Sequence, residues 1–136
     1  MERELAGMWI RAVRRLDTAR RGSKELPSLT QLQLLEVLDE GALPLMAVAR
    51  RLGITGATCT RAVDSAVRRG WLARIRDPQD RRVTWLRATP EGLRARHDLE
   101  DLIETQLIQS LTTVSSEDQA AFWRTLSVLA DGAPGD

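Results

Sequence analysis

Two runs of β-type residues, Trp71 to Ile75 and Val83 to Leu86, flank the heptapeptide Arg76-Asp77-Pro78-Gln79-Asp80-Arg81-Arg82. Pro78 fixes its own φ and the aspartate carboxylates can accept from nearby backbone N–H groups, so this segment has to turn and cannot continue a helix. The flanking runs are thereby set as an antiparallel hairpin with arginines on its projecting tip. Thr89-Pro90-Glu91-Gly92 follows, with Pro at the first turn of a new helix, where its missing N–H costs little. Arginines on a projecting hairpin suit phosphate or a narrow minor groove, so the segment is expected to be a nucleic-acid-binding wing.

Upstream, the apolar pattern turns helical. Leu5, Trp9, Ala12, Val13 and Leu16 recur at helical spacing among Arg11, Arg14 and Arg15, predicting a first amphipathic helix over about 3–21. Gly22 to Ser28 reads as a breaker. Thr30 to Glu40 restarts a helix whose leucines imply burial on several sides, with Gly41 as its expected C-cap. A third helix is expected from about Pro44 to Leu52, without a good polar N-cap. Gly53-Ile54 makes a turn, and Thr55 caps a fourth helix over Gly56 to Arg69 that Gly70 ends. Two short helices about a tight glycine-containing turn form a helix-turn-helix. In the fourth helix Cys59, Val63, Ala66 and Val67 form a core stripe, leaving Thr58, Arg61, Ser65 and Arg68 on the opposite side.

After the wing, Leu93, Leu99, Leu102, Ile103, Leu107 and Leu111 mark the stripe of a long helix. Its roughly 22 residues would span on the order of 33 Å, more than a small domain needs for its own core. Part of that stripe is therefore expected to pack on something else. A last helix over about Ser116 to Ala130 starts with a capping-box-like Ser115 and Asp118 and carries Phe122, Leu126 and Leu129 on one face. Gly132 to Asp136 is expected to be a frayed tail. The fold class is thus mainly α with a small β-wing (α+β), a single domain over 1–136. Residues 29–88 form the winged helix-turn-helix lobe, flanked by helices over 3–21 and 90–130.

The chain's net charge of +1 conceals a segregation. Residues 50–87 hold ten Arg against three Asp (10 − 3 = +7), residues 91–136 hold three Arg against nine Asp and Glu (3 − 9 = −6), and residues 1–49 balance to zero. One face is expected to meet a polyanion while another faces solvent or protein, although the arginines could instead only solvate helices. A single cysteine excludes an internal disulfide, and with one histidine no Cys/His zinc framework is possible. A reducing, cytoplasmic setting is the expectation, and no apolar run approaches the roughly 18 residues of a membrane span. No nucleophile with a paired base and no glycine-rich phosphate loop is present, so no catalytic residue, cofactor or metal site is expected.

Taken in order, Leu52-Gly53-Ile54-Thr55, Thr58-Cys59-Thr60-Arg61, Arg69-Gly70-Trp71-Leu72-Ala73-Arg74, Asp77-Pro78-Gln79-Asp80-Arg81-Arg82 and Leu86-Arg87-Ala88-Thr89-Pro90-Glu91-Gly92 resemble the MarR family of bacterial winged-helix transcription regulators. The likeness covers nearly the whole chain. It implies a homodimer built from the N- and C-terminal helices, two recognition helices in successive major grooves of double-stranded DNA, two wings in flanking minor grooves, and a palindromic operator with half-sites about 10 base pairs apart. The implied function is sequence-specific transcription regulation, as a repressor. The alternative is a winged helix that docks an acidic protein partner without specific DNA binding.

Thr55, Gly56, Thr58, Thr60, Arg61, Ser65 and Arg68 are the expected DNA-facing residues of the recognition helix. Arg61 is the first choice, because it can give two parallel bonds to a guanine edge or clamp a phosphate. Gly56 either lets backbone N–H groups approach a phosphate or simply serves the turn. Arg81 and Arg82 compete for the minor groove. Asp77 and Asp80 are read as bracing the wing and orienting Arg74 or Arg82. Arg50, Arg51, Arg68 and Arg69 either bind phosphate or stay solvated. Cys59 sits on a core stripe where the family usually has an apolar residue, and the cysteine of the family's peroxide sensors, near the first helix, is missing here. His97 among Asp98, Glu100 and Asp101 is read as solvated rather than metal-binding. Family behaviour also implies a small, often aromatic or lipophilic anion as effector. Met8, Trp9, Arg11 and Arg15 could serve its pocket, or Met8 and Trp9 could be ordinary core residues.

Overall fold

Capping and turn chemistry place most of the helix ends in the computed structural model, which describes residues 1–23 and 25–132. The elements are α1 (Glu2–Arg21), α2 (Leu29–Asp39), β1 (Leu43–Pro44), α3 (Leu45–Leu52), α4 (Gly56–Arg68), β2 (Leu72–Arg76), β3 (Thr84–Ala88), α5 (Pro90–Leu111) and α6 (Ser116–Asp131). The chain divides into two units, Met1–Leu102 and Ile103–Asp136. Beyond Gly132, the expected frayed tail lies outside the described residues.

In the first unit, Ser28 belongs to the helix it was expected to precede as a breaker. Its Oγ accepts from Gln31 N at 3.2 Å while Gln31 Oε1 accepts from Ser28 N at 3.0 Å, a reciprocal capping box that starts α2. Gln31 is buried, and its Nε2 donates onward to Ala62 O of α4 at 3.3 Å, tying the two helices together. At the far end, Glu40 is the C-cap of α2 rather than Gly41, which follows with φ 144°.

α3 and α4 both close through glycines in the left-handed region, Gly53 at φ 64° and Gly70 at φ 77°. In each case the following residue reaches back: Ile54 N donates to Ala49 O at 3.1 Å, and Trp71 N to Ala66 O at 2.9 Å. These are Schellman closures, which satisfy carbonyls a helix end would otherwise leave bare. A side chain at either glycine would have to adopt a conformation that L residues disfavour.

The sheet has three strands in the order β1-β3-β2, all antiparallel. β1 was not expected: Pro44 pairs with Trp85 and Leu43 with Leu86, so Pro44 ends an edge strand and caps α3 instead of lying in its first turn. The hairpin strands run one residue later at their starts and up to two at their ends than the apolar runs suggested. The register sets Leu72 opposite Ala88 and Ile75 opposite Trp85.

The core gathers Leu34, Leu35 and Leu38 from α2, Val48 and Ala49 from α3, Cys59, Val63 and Ala66 from α4, and Trp71, Leu72, Leu86 and Ala95. Leu99 of α5 is also fully buried. Arg96 anchors α5 to the end of α2, donating to Asp39 Oδ2 at 3.0 Å as well as to Glu100 Oε1 at 2.7 Å. α1 contributes no buried residue: Trp9 is 57% exposed and Met8 47%, so neither is a core residue of this chain.

In the second unit, α6 begins at Ser115, whose Oγ accepts from Asp118 N at 3.2 Å and donates to Asp118 Oδ2 at 2.9 Å. The bond is a cap but not a reciprocal box, because Asp118 answers the hydroxyl rather than the backbone. Gln119 Nε2 bridges the turn, donating to Leu111 O at 3.0 Å and Val114 O at 2.9 Å. Phe122 and Trp123 meet edge to face with centroids 5.6 Å apart. No residue of α6 is buried.

Candidate nucleic-acid interface

α4 turns its small and apolar residues inward and leaves a polar, basic face outward. Cys59 and Val63 are fully buried and Ala66 nearly so, while Thr60, Arg61 and Arg68 are exposed and Ser65 is half-buried on the other side. Burial pushes the Cys59 thiol upward in pKa, and its Sγ points to Leu45 O at 4.0 Å. Such a thiol is a core filler rather than a reactive group.

Thr55 and Thr58 build the start of this helix. Thr55 Oγ1 accepts from Thr58 N at 3.1 Å and donates to Thr58 Oγ1 at 3.0 Å, so both hydroxyls are engaged in the N-cap. A Cβ at Gly56 would lie 3.5 Å from Met46 Sδ of α3, an ordinary van der Waals contact, so packing does not demand a glycine there. Arg50 bends back along α3 to Met46 O at 3.4 Å, and Arg69 stacks over the Trp71 ring at 5.1 Å. All four expected phosphate candidates, Arg50, Arg51, Arg68 and Arg69, are exposed.

The wing tip is held by its two aspartates. Asp77 Oδ1 accepts from Gln79 N at 2.8 Å and Asp80 N at 3.0 Å, and its Oδ2 from Trp85 Nε1 at 2.9 Å. The backbone N–H of Gln79, the Trp85 indole and the Asp80 N–H together hold the Asp77 carboxyl below the usual carboxylate range. Asp80 takes the Arg82 guanidinium, from Nε at 3.1 Å and from its terminal nitrogen at 3.3 Å, together with Arg82 N at 3.0 Å. These bonds, side chain first, lower the Asp80 carboxyl as well, against desolvation and the like charge of Asp77. Arg82 is thus aimed by Asp80 although its side chain is 91% exposed. Arg81 makes no hydrogen bond or ion pair among the described residues and stands exposed beside it.

Of Arg82 and Arg74, the two arginines that the wing aspartates were expected to orient, Asp80 holds the first and neither aspartate holds Arg74. The Arg74 guanidinium pairs with Asp64 of α4. Sequence reasoning passed over Asp64, which lies one helical turn from Arg61 and Arg68 on the outward face. The pair joins the recognition helix to strand β2 and neutralises a carboxylate that would otherwise repel a phosphate backbone. The signal available in the sequence was its position: a lone acid among arginines on a polar face calls for a nearby cation.

Elsewhere, His97 is exposed and lies 3.4 Å from Glu100 Oε2, and no group of three or more metal-ligating side chains is found among the described residues. No described helix is long and apolar enough to cross a membrane. Met8, Trp9, Arg11 and Arg15 all lie exposed on α1.

A sequence-family model for the MarR family matches residues 27–83, the stretch from the start of α2 to the wing. Among solved structures, the PcaV transcriptional regulator of Streptomyces coelicolor, in complex with its natural ligand, is 32% identical; 95% of this chain and 91% of that chain are covered, with a TM-score of 0.66. The YusO protein of Bacillus subtilis is 20% identical over 97% of this chain and 93% of that one, with a TM-score of 0.78. FabT of Streptococcus pneumoniae, in complex with DNA, is 21% identical over 96% and 92%, with a TM-score of 0.70. At these lower identities the last two show the shared fold. No curated protein sequence matches the chain.

Proposed function

The chain belongs to the MarR family of winged-helix transcription regulators, and from that membership we propose that it is a sequence-specific repressor that binds a palindromic operator as a homodimer. The observation that carries this reading is the pairing of an outward Thr60, Arg61, Ser65 and Arg68 face on α4 with a wing that holds Arg81 and Arg82 out to solvent. Short polar side chains and a guanidinium at the start of a helix fit a major groove, and wing arginines fit the narrow groove beside it. The DNA-bound FabT fold is consistent with this placement.

In the proposed complex Arg61 donates to a guanine edge, Arg51 and Arg68 neutralise phosphates, and Arg81 or Arg82 enters the minor groove. Thr55 and Thr58, committed to the N-cap, act mainly by setting the pitch of the helix, with Gly56 packed beside them. Residues 29–88 serve as the DNA-binding lobe and helices over 3–21 and 90–130 as the dimerisation helices. The exposed Leu5, Met8, Trp9, Ile10 and Val13 of α1 support a partner there. A dimer with two-fold symmetry places its half-sites about one helical turn apart. Regulation by a small ligand, as the ligand-bound PcaV suggests, would act through unequal affinity for DNA-competent and splayed dimers. We place the protein in the cytoplasm, with no catalytic role.

Selection and sequencing of genomic fragments bound by the purified protein at two salt concentrations tests the proposal. An enriched palindrome is expected. Salt-sensitive binding without enrichment, or binding to an acidic protein but not to duplex DNA, would replace it with a nonspecific or protein-interaction role.

A further inference from the structure

We propose that Thr89 and Gly92 are positioning residues for DNA recognition, which lock the first turn of α5 onto the exit of the recognition helix so that the two move as one piece. The inference rests on the DNA-binding reading above and adds a mechanical link to it.

Gly70 and Trp71 serve two helices at once. Their N–H groups close α4, Gly70 N donating to Val67 O at 3.0 Å and Trp71 N to Ala66 O at 2.9 Å. Their carbonyls face the other way and hold α5: Thr89 N donates to Trp71 O at 3.0 Å, and Thr89 Oγ1 donates to Gly70 O. The same hydroxyl accepts from Gly92 N at 3.1 Å, so one oxygen is shared between the cap of α5 and the closure of α4. Two consecutive peptide units therefore cannot tilt with one helix without pulling on the other.

Gly92 makes this closeness possible. A Cβ there would lie 2.1 Å from Trp71 O and 2.9 Å from Leu35 Cδ2, so the backbone of α5 rests directly on the Trp71 carbonyl. Trp71 is itself buried in the core, and Leu72 beside it pairs with Ala88 at the end of the hairpin. The junction thus gathers α4, the base of the wing and α5. Any change in the direction of α5 is delivered to the last turn of α4, where Arg68 stands.

The test uses the full chain with three variants. Thr89→Val removes the shared oxygen at nearly constant volume, Thr89→Ser keeps it, and Gly92→Ala pushes the two backbones apart. Two readouts are taken: hydrogen exchange of the free protein, and the affinity ratio between the chain's own enriched fragment and a shuffled duplex of equal length. In folded Thr89→Val we expect faster exchange in residues 67–72 as well as 89–93, unchanged exchange in residues 34–38, and a selectivity ratio roughly tenfold lower. Thr89→Ser should restore both, and Gly92→Ala, where folded, should follow Thr89→Val. Loosening confined to residues 89–93, or undiminished selectivity in folded Thr89→Val, would overturn the proposal. If the wild-type chain itself shows no selectivity, the DNA-binding reading fails, and the exchange pattern alone decides whether the two helices are coupled.

Discussion

The winged lobe and α1 are built from similar amphipathic material and meet opposite fates. From Pro27 to Leu99 the chain encloses its own core, with Leu34, Val48, Cys59, Val63, Leu86 and Leu99 wholly shielded from water. α1, equally rich in large apolar residues, buries none of them. α6 taken alone likewise leaves Trp123, Val128 and Leu129 exposed. The lobe satisfies itself because its helices open through a capping box on α2 and a threonine cap on α4 and close through left-handed glycines that return the chain sharply onto the sheet. α1, among the described residues, leaves Leu5, Met8, Trp9, Ile10 and Val13 exposed. The difference teaches that the apolar pattern of the lobe is satisfied within the chain, whereas that of α1 stays exposed among the described residues.

The largest effect should come from striking the self-sufficient side. Leu34→Ala, at a fully buried position, is expected to cost about 2–5 kcal/mol in urea unfolding, at any protein concentration. A loss under about 1 kcal/mol would mean that the core is looser than described. Trp9→Ala should behave differently: a large aromatic at an association face is worth roughly 2 kcal/mol, read as weaker self-association in sedimentation rather than as a lower intrinsic stability. An unchanged association constant would remove α1 from the proposed dimer.

Within the lobe the predicted effects become smaller. Arg61→Ala is expected to weaken specific binding by about 1–3 kcal/mol and relax the preference at one operator position while leaving nonspecific binding nearly intact. A uniform loss on all duplexes would reassign Arg61 to a phosphate. Arg81→Ala or Arg82→Ala should lower the slope of log affinity against log salt by about 1 if the side chain neutralises a phosphate. Unchanged slope and affinity in both would detach the wing from DNA.

The smallest effect concerns acid. The Asp77 and Asp80 carboxyls are held below their ordinary range by the N–H groups and the Arg82 guanidinium they accept from. Groups with lowered folded-state pKa contribute their stability above the unfolded value of about 3.9 and lose it as pH falls through the folded value. The Trp85 indole N–H resonance should therefore stay fixed from neutral pH to about pH 5 and shift only below about pH 4. Asp77→Asn should abolish that titration. A midpoint above about pH 5 would contradict the bonding of the wing tip.

The same contrast explains what could be read from the sequence. The helix-turn-helix and the hairpin were legible because Gly53, Gly70 and Pro78 force the backbone locally. Cys59 and Val63 were legible as core because helical spacing sorts faces. β1 was hidden, since two residues ending in proline carry no strand signal and pair only because β3 lies beside them. Ser28 was hidden by the breaker around it, although Gln31 three residues later completes a capping box. The bonds from Arg74 to Asp64, Gln31 to Ala62 and Thr89 to Gly70 span 10, 31 and 19 residues and exist only after the chain has folded back. The exposure of Trp9 could not be inferred from α1 itself, because the periodicity that predicts a buried face does not say whose core buries it.

In the proposed state two copies of the lobe are presented together to one DNA duplex, and the mass and affinity of that complex test it most directly. With the enriched fragment as probe, two chains per duplex are predicted. Separating the half-sites by half a helical turn should then reduce affinity by about 100-fold or more, because the second contact is lost. One chain per duplex, or indifference to the spacing, would contradict it.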